Sequence, residues 1–115
     1  MSKRSPRLLV EDILEAASKI ERYVRGLDSR QFLDDDKTSD AVVRNLEIIG
    51  EAAARLPVEV RNQFPGIEWS KIIGLRNRVV HEYFGVDLDI VWFIIQNDLP
   101  ALAAFLEEMK LRLQA

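Results

Sequence analysis

The chain has a single histidine, His81, and it lies in the segment RNRVVHEY, Arg76 to Tyr83. An imidazole titrates near neutral pH, so it can accept the proton of a ribose 2′-hydroxyl or protonate a leaving oxygen. A guanidinium such as that of Arg76 stabilises charge developing on a phosphate. Asn77 can orient the imidazole or a phosphate oxygen, and Arg78 can add phosphate affinity at the edge of the site. Together these residue types suit cleavage of RNA without a metal ion. If the segment is helical, Asn77 and His81 lie roughly 40° apart, and Arg76 and Tyr83, seven residues apart, line up. The four side chains then span roughly 160° of the circumference and border one cleft.

Each residue also has a structural reading. A histidine in the last turn of a helix is favoured there by the helix dipole and can bond free carbonyls. Arg76 and Arg78 can be solvated surface charges, and Tyr83 a core aromatic with its hydroxyl at the surface. One histidine also sets a limit. Neither a two-histidine metal site nor a two-histidine acid and base pair can be built from one copy of the chain, so either would require a dimer.

Composition narrows the class. The 115 residues, 48% of them hydrophobic, suffice for one domain with a real core. There is no cysteine, which excludes disulfides and thiolate metal sites and fits a cytoplasmic protein. Glu11, Asp12 and Glu15 interrupt the apolar N-terminal run too early for a signal-peptide core. No apolar stretch is expected to approach the roughly 20 residues of a membrane helix, the nearest being residues 90–95, so a soluble protein is expected. Sixteen basic and 19 acidic residues give a net charge of −3, which argues against a protein that coats nucleic acid by overall positive charge. RNA contact would have to be local, through Arg44, Arg55, Arg61, Lys71, Arg76 and Arg78 if they cluster.

The elements that must position the segment are all helical. Apolar residues at three and four spacing predict a first helix from Leu8 to about Leu27, opened by Ser5 and Pro6 and stopped by Gly26. The stretch 28–40 reads as a polar loop pinned by Phe32 and Leu33, with Asp34 to Asp36 a solvated acidic run rather than a metal site. Ser39 or Asp40 is expected to cap a second helix to about Leu56, whose Gly50, Ala52, Ala53 and Ala54 permit close approach of another helix. A short turn at 58–63 and a break at Pro65-Gly66 follow. The third helix is expected from Glu68 to Tyr83 or Phe84, with Gly85 just past its end. The last starts near Asp87 or Asp89 and runs to Leu113, kinked or split at Pro100, with Asp98 capping the second piece. Trp69, Trp92 and Phe93 fall in apolar stripes and are expected in the core. No period-two strand is present, and the fold class is all-α: an antiparallel bundle of four to five helices with short connections.

RNRVVHEY resembles the R-x-x-x-x-H-x-Y signature of HEPN-domain ribonucleases, specifically the HepT-like toxins encoded beside a minimal nucleotidyltransferase antitoxin. AVVRNLEIIGEAA (Ala41 to Ala53), IIGLRNRVVHEYFGVD (Ile72 to Asp87) and NDLPAL (Asn97 to Leu102) resemble that family in the same order. The resemblance implies a HEPN-like bundle forming a two-fold homodimer, with two copies of Arg76 and His81 around one composite site and Asn77 assisting. It implies RNA as substrate, transfer RNA or messenger RNA, no cofactor, and Tyr83 as the residue to which the partner nucleotidyltransferase attaches AMP. A bulky anionic adenylate in the cleft would exclude RNA by sterics and repulsion. Two other functions remain open at this point: a non-catalytic nucleotide- or substrate-binding partner of the nucleotidyltransferase, and a purely structural helical dimer.

Overall fold

A computed structural model describes residues 4–81 and 85–113, with the backbone alone at residues 76 and 79–81. The first helix, α1 (Pro6–Val24), begins as expected: the Ser5 hydroxyl accepts the Leu8 amide at 3.2 Å and Pro6 occupies the first turn. Leu9, Ile13, Ala16, Ala17, Ile20 and Val24 are buried on one face, whereas Tyr23 is exposed rather than inward. Gly26, at φ +81°, lets the chain leave the helix in a conformation that side chains disfavour.

Residues 28–40 are not a loop. Asp28 and Gln31 form a reciprocal capping box that opens a short helix, α2 (Ser29–Asp34), and Phe32 is its fully buried anchor. The next helix, α3 (Asp36–Arg55), therefore starts earlier than read, capped by Asp35 rather than by Ser39 or Asp40. Asp35 accepts the Thr38 hydroxyl at 2.7 Å and the Thr38 amide at 3.0 Å. Those two bonds favour the charged form and hold the Asp35 carboxyl below its ordinary value. Within the acidic run, Asp35 is thus the cap of α3 and Asp36 lies in its first turn, where the helix dipole favours an acid.

Helix α3 packs along α1, with Val42, Leu46, Ile49 and Ala53 buried between them. After Pro57 come α4 (Val58–Asn62) and then α5 (Trp69–Ile73) and α6 (Leu75–Val79), both of which pack on α3. The Trp69 indole N–H donates to the carbonyls of Arg61 and Phe64, each at 3.1 Å, tying α5 to the preceding turn. Gly50 is where α3 and α5 come closest: a Cβ there would stand 3.3 Å from the carbonyl oxygens of Ile72 and Ile73. The small residues of α3 thus admit a helix from within the chain.

From Leu88 to Arg112 the chain is one uninterrupted helical run: α7 (Leu88–Phe93), a π-helical turn (Ile94–Asp98) and α8 (Leu99–Arg112). Asp87 caps it, accepting the amides of Asp89 and Ile90. Pro100 neither splits the run nor makes Asp98 a cap. In the widened turn the Leu99 amide reaches back five residues to Ile94, so the proline ring is accommodated without breaking the helix. The run is long and apolar enough to span a bilayer, contrary to the sequence reading. One face of it is buried in the bundle, through Val91, Ile94, Ile95, Leu99, Leu102, Leu106 and Met109. Glu11 meets Lys110 at 3.6 Å at one end of α1, and Val24 faces Ile95 and Gln96 at the other, so α1 and α8 run antiparallel. Trp92 packs on Phe32 with ring centres 5.3 Å apart, whereas Phe93 is 56% exposed and not in the core.

The architecture is all-α, as read, with short helices joining the long ones. Its one departure among the described residues is a two-residue antiparallel pair, β1 (Val80–His81) with β2 (Gly85–Val86). A β-branched residue at Gly50 would drive into the α5 backbone, so Gly50→Val should cost about 1–3 kcal/mol. Urea denaturation checks this, and an unchanged midpoint would show that α5 moves away freely.

Candidate active site

The motif segment does not continue as one helix. At Gly74, φ −84° and ψ 6°, α5 stops, and the Gly74 amide closes the turn onto Ser70 at 3.0 Å. The chain restarts as α6, where the Arg78 amide bonds the Gly74 carbonyl at 3.0 Å and Leu75 is buried against the core. After Val79 it becomes extended. Two consecutive β-branched residues, Val79 and Val80, lose side-chain freedom in a helix and fit a pleated strand. Val80 then pairs with Val86 and His81 with Gly85, whose φ of +74° suits the return of the chain.

This corrects both readings of His81. It lies two residues past the end of α6, so it is neither on a helical face with Asn77 nor in the last turn where it would cap carbonyls. The expectation that Arg76, Asn77 and His81 share a helix face fails for the same reason: the helix ends between Asn77 and His81. Arg76 remains on α6. The side chains of Arg76 and His81, and all of Tyr83, lie outside the described residues. Asn77 is exposed.

Arg78, expected only at the edge of the site, is two-thirds buried and bonds Asp98 across the fold, Nη1 to Oδ2 at 3.2 Å. That bond joins the motif helix to the end of the π-helical turn. Sequence reasoning missed it because Asp98, two residues before a proline, has the appearance of a helix cap; a carboxylate inside an uninterrupted helix is the signal that only the structure supplies. Beside this pair opens a cleft of about 140 Å³ between α5, α6 and the π-helical turn, lined by Lys71 and Arg78 among others. Arg44, Arg55 and Arg61 do not converge there. Arg55 lines a groove between α1 and α3, and Arg44 lines one with Asp36, Asp40 and Glu47. The Arg61 guanidinium donates to the Leu56 carbonyl. Among the described residues no three His, Cys, Asp or Glu side chains are grouped as a metal ion would require.

The arrangement therefore sets the motif arginine on a short helix seated on α3, and the motif histidine on the strand that follows it. Residues 13–109, which include the whole motif, match the family model described as ribonuclease HepT-like. The chain belongs to the HepT-like ribonuclease family. A Thermococcus cleftensis protein named "Probable ribonuclease HepT" is 39% identical over 108 residues, covering 94% of this chain and 98% of the relative. A candidate RNase of Methanocaldococcus jannaschii is 37% identical over 102 residues, covering 89% and 94%. The more distant "mRNA nuclease HepT" of Shewanella oneidensis is 27% identical, covering 85% and 96%. The comparison with solved structures found no match. Family membership agrees with the resemblance read from RNRVVHEY and from the segments around it.

Proposed function

We propose that the protein is a metal-independent endoribonuclease, the toxin of a toxin–antitoxin pair, acting as a two-fold homodimer in the cytoplasm. The observation that carries this reading is the Arg76, His81 and Tyr83 spacing inside a ribonuclease family match that spans residues 13–109. In this reading two copies of the motif face one groove. One His81 accepts the proton of a ribose 2′-hydroxyl, the 2′-oxygen attacks phosphorus, and the 5′-oxygen leaves with a proton from the His81 of the second copy. Arg76 from each copy stabilises the charge that builds on the phosphate, and Asn77 holds the imidazole or a phosphate oxygen. The substrate is RNA, and the name of the Shewanella relative favours messenger over transfer RNA.

Neutralisation falls to Tyr83, to which a minimal nucleotidyltransferase partner attaches AMP. The phenol lies two residues from His81 in sequence, so an adenylate there brings negative charge and bulk to the groove that must admit an anionic strand.

The purified protein should cleave RNA in EDTA, and His81→Ala or Arg76→Ala should reduce cleavage by at least 10²-fold, the scale of a lost general acid–base group. Undiminished cleavage by His81→Ala would remove the catalytic assignment. After incubation with the partner and ATP, peptide mass spectrometry should find AMP on Tyr83 and RNA cleavage should stop. An unmodified Tyr83 alongside lost activity would refute this switch.

A further inference from the structure

We propose that the cleft between α5, α6 and the π-helical turn is a binding pocket for one unpaired RNA base, sized for a pyrimidine. For its link to cleavage this rests on the ribonuclease reading; base binding itself does not.

The floor of the cleft is aliphatic, made by Ile72, Leu75, Ile94 and Leu102, all buried. Its volume of about 140 Å³ is close to that of an engineered aliphatic cavity of ~150 Å³ that takes up benzene, so a single six-membered ring fits. At the mouth stands Phe105, 47% exposed, its ring 3.4 Å from where a Cβ on Gly66 would lie. The ring forms one wall of the cleft, and nearly half of it is open to a stacking partner.

The rim distinguishes a base from a plain hydrocarbon. Asn97 and Asp98 on the π-helical turn, and Arg78 on α6, supply donors and acceptors at the edge of the slot. The single bond between Arg78 and Asp98 uses one of five guanidinium N–H groups and one carboxylate oxygen, which leaves hydrogen-bonding capacity on both. Lys71 stands at the same cleft, paired with Glu68 at 3.6 Å; both side chains are more than half exposed, so a phosphate adjoining the base can compete for the ammonium. An aromatic ring, a cation and amide or carboxylate groups around a ring-sized slot are the means by which unpaired bases are read. A second copy of the chain is the other conceivable occupant. The centre of a protein interface is depleted in charge, whereas this mouth carries charges of both signs. Leu75 and Arg78 bracket Arg76 on α6, so a base held here lies within one helical turn of the motif arginine.

The test uses the full chain and an uncleavable single strand, 2′-O-methyl oligouridylate, with binding read by fluorescence anisotropy. Two variants alter exposed positions: Phe105→Ala removes the aromatic ring, and Ala101→Trp fills the mouth. Circular dichroism checks that both fold. Each should weaken oligouridylate binding about tenfold, the scale of one lost base stack, and wild type should prefer oligouridylate to oligoadenylate. Undiminished binding by both variants, or no binding by the wild type, would overturn the pocket. Dissociation of an oligomer by Ala101→Trp with RNA binding intact would assign the cleft to a second copy and equally overturn it. Binding that depends on Phe105 in a protein that cuts no RNA would sustain the pocket while the ribonuclease reading fell.

Discussion

A proline in mid-helix must be accommodated, and the arrangement around the candidate site depends on how this chain does so. Pro100 has no amide to donate, and its ring would press on the preceding turn of an α-helix. The chain answers with five residues of π-helix, Ile94–Asp98, through which the helical run from Leu88 to Arg112 passes unbroken. Continuity lets the two halves of the run serve different neighbours. α8 packs on α1, while α7 meets α2 and α6. The widened turn also sets Asp98 opposite Arg78, and so ties the motif helix to the last helical run. π-helical turns recur at functional sites, and here the turn forms one bank of the cleft beside the motif.

The second constraint is the brevity of α6. Gly74 ends the helix before it, and Val79 and Val80 end α6 itself after five residues. Arginine and histidine of one motif are thereby placed on different kinds of backbone, a helix seated on α3 and a strand paired with Gly85–Val86. A helix fixes its side chains by packing against α3, whereas a two-residue strand pair contributes few hydrogen bonds of its own. A site completed by a second copy of the same strand would supply what this pair lacks.

Much of the bundle was legible in the sequence because helical periodicity is a long-range signal. The buried stripe of α3, that of α1 apart from Tyr23, and the Ser5 cap are as read, and Ile94, Leu99, Leu102, Leu106 and Met109 of the last helix are buried. What escaped is short and local. The capping box of Asp28 and Gln31 turned an apparent loop into α2, and Asp35 took the cap assigned to residues four and five positions later. Periodicity could not show that Pro100 would be absorbed in a π-helical turn, since the cost of a proline depends on whether the preceding turn can widen. It could not show the end of α6 either, because Val79 and Val80 suit a helical stripe and a strand alike. For the site, the resemblance of RNRVVHEY led to the family, while the helical geometry drawn for His81 did not hold. Arg78's partner lies 20 residues away and had no sequence signal.

The central claim is that two copies of His81 act in one composite site. The most direct measurement follows RNA cleavage as wild-type protein is mixed, after exchange of subunits, with increasing His81→Ala at constant total concentration. If acid and base come from two copies, a hybrid dimer holds only one histidine and is inactive, so activity falls as the square of the wild-type fraction. A linear fall would mean that each chain cleaves with its own histidine, and would contradict the composite site.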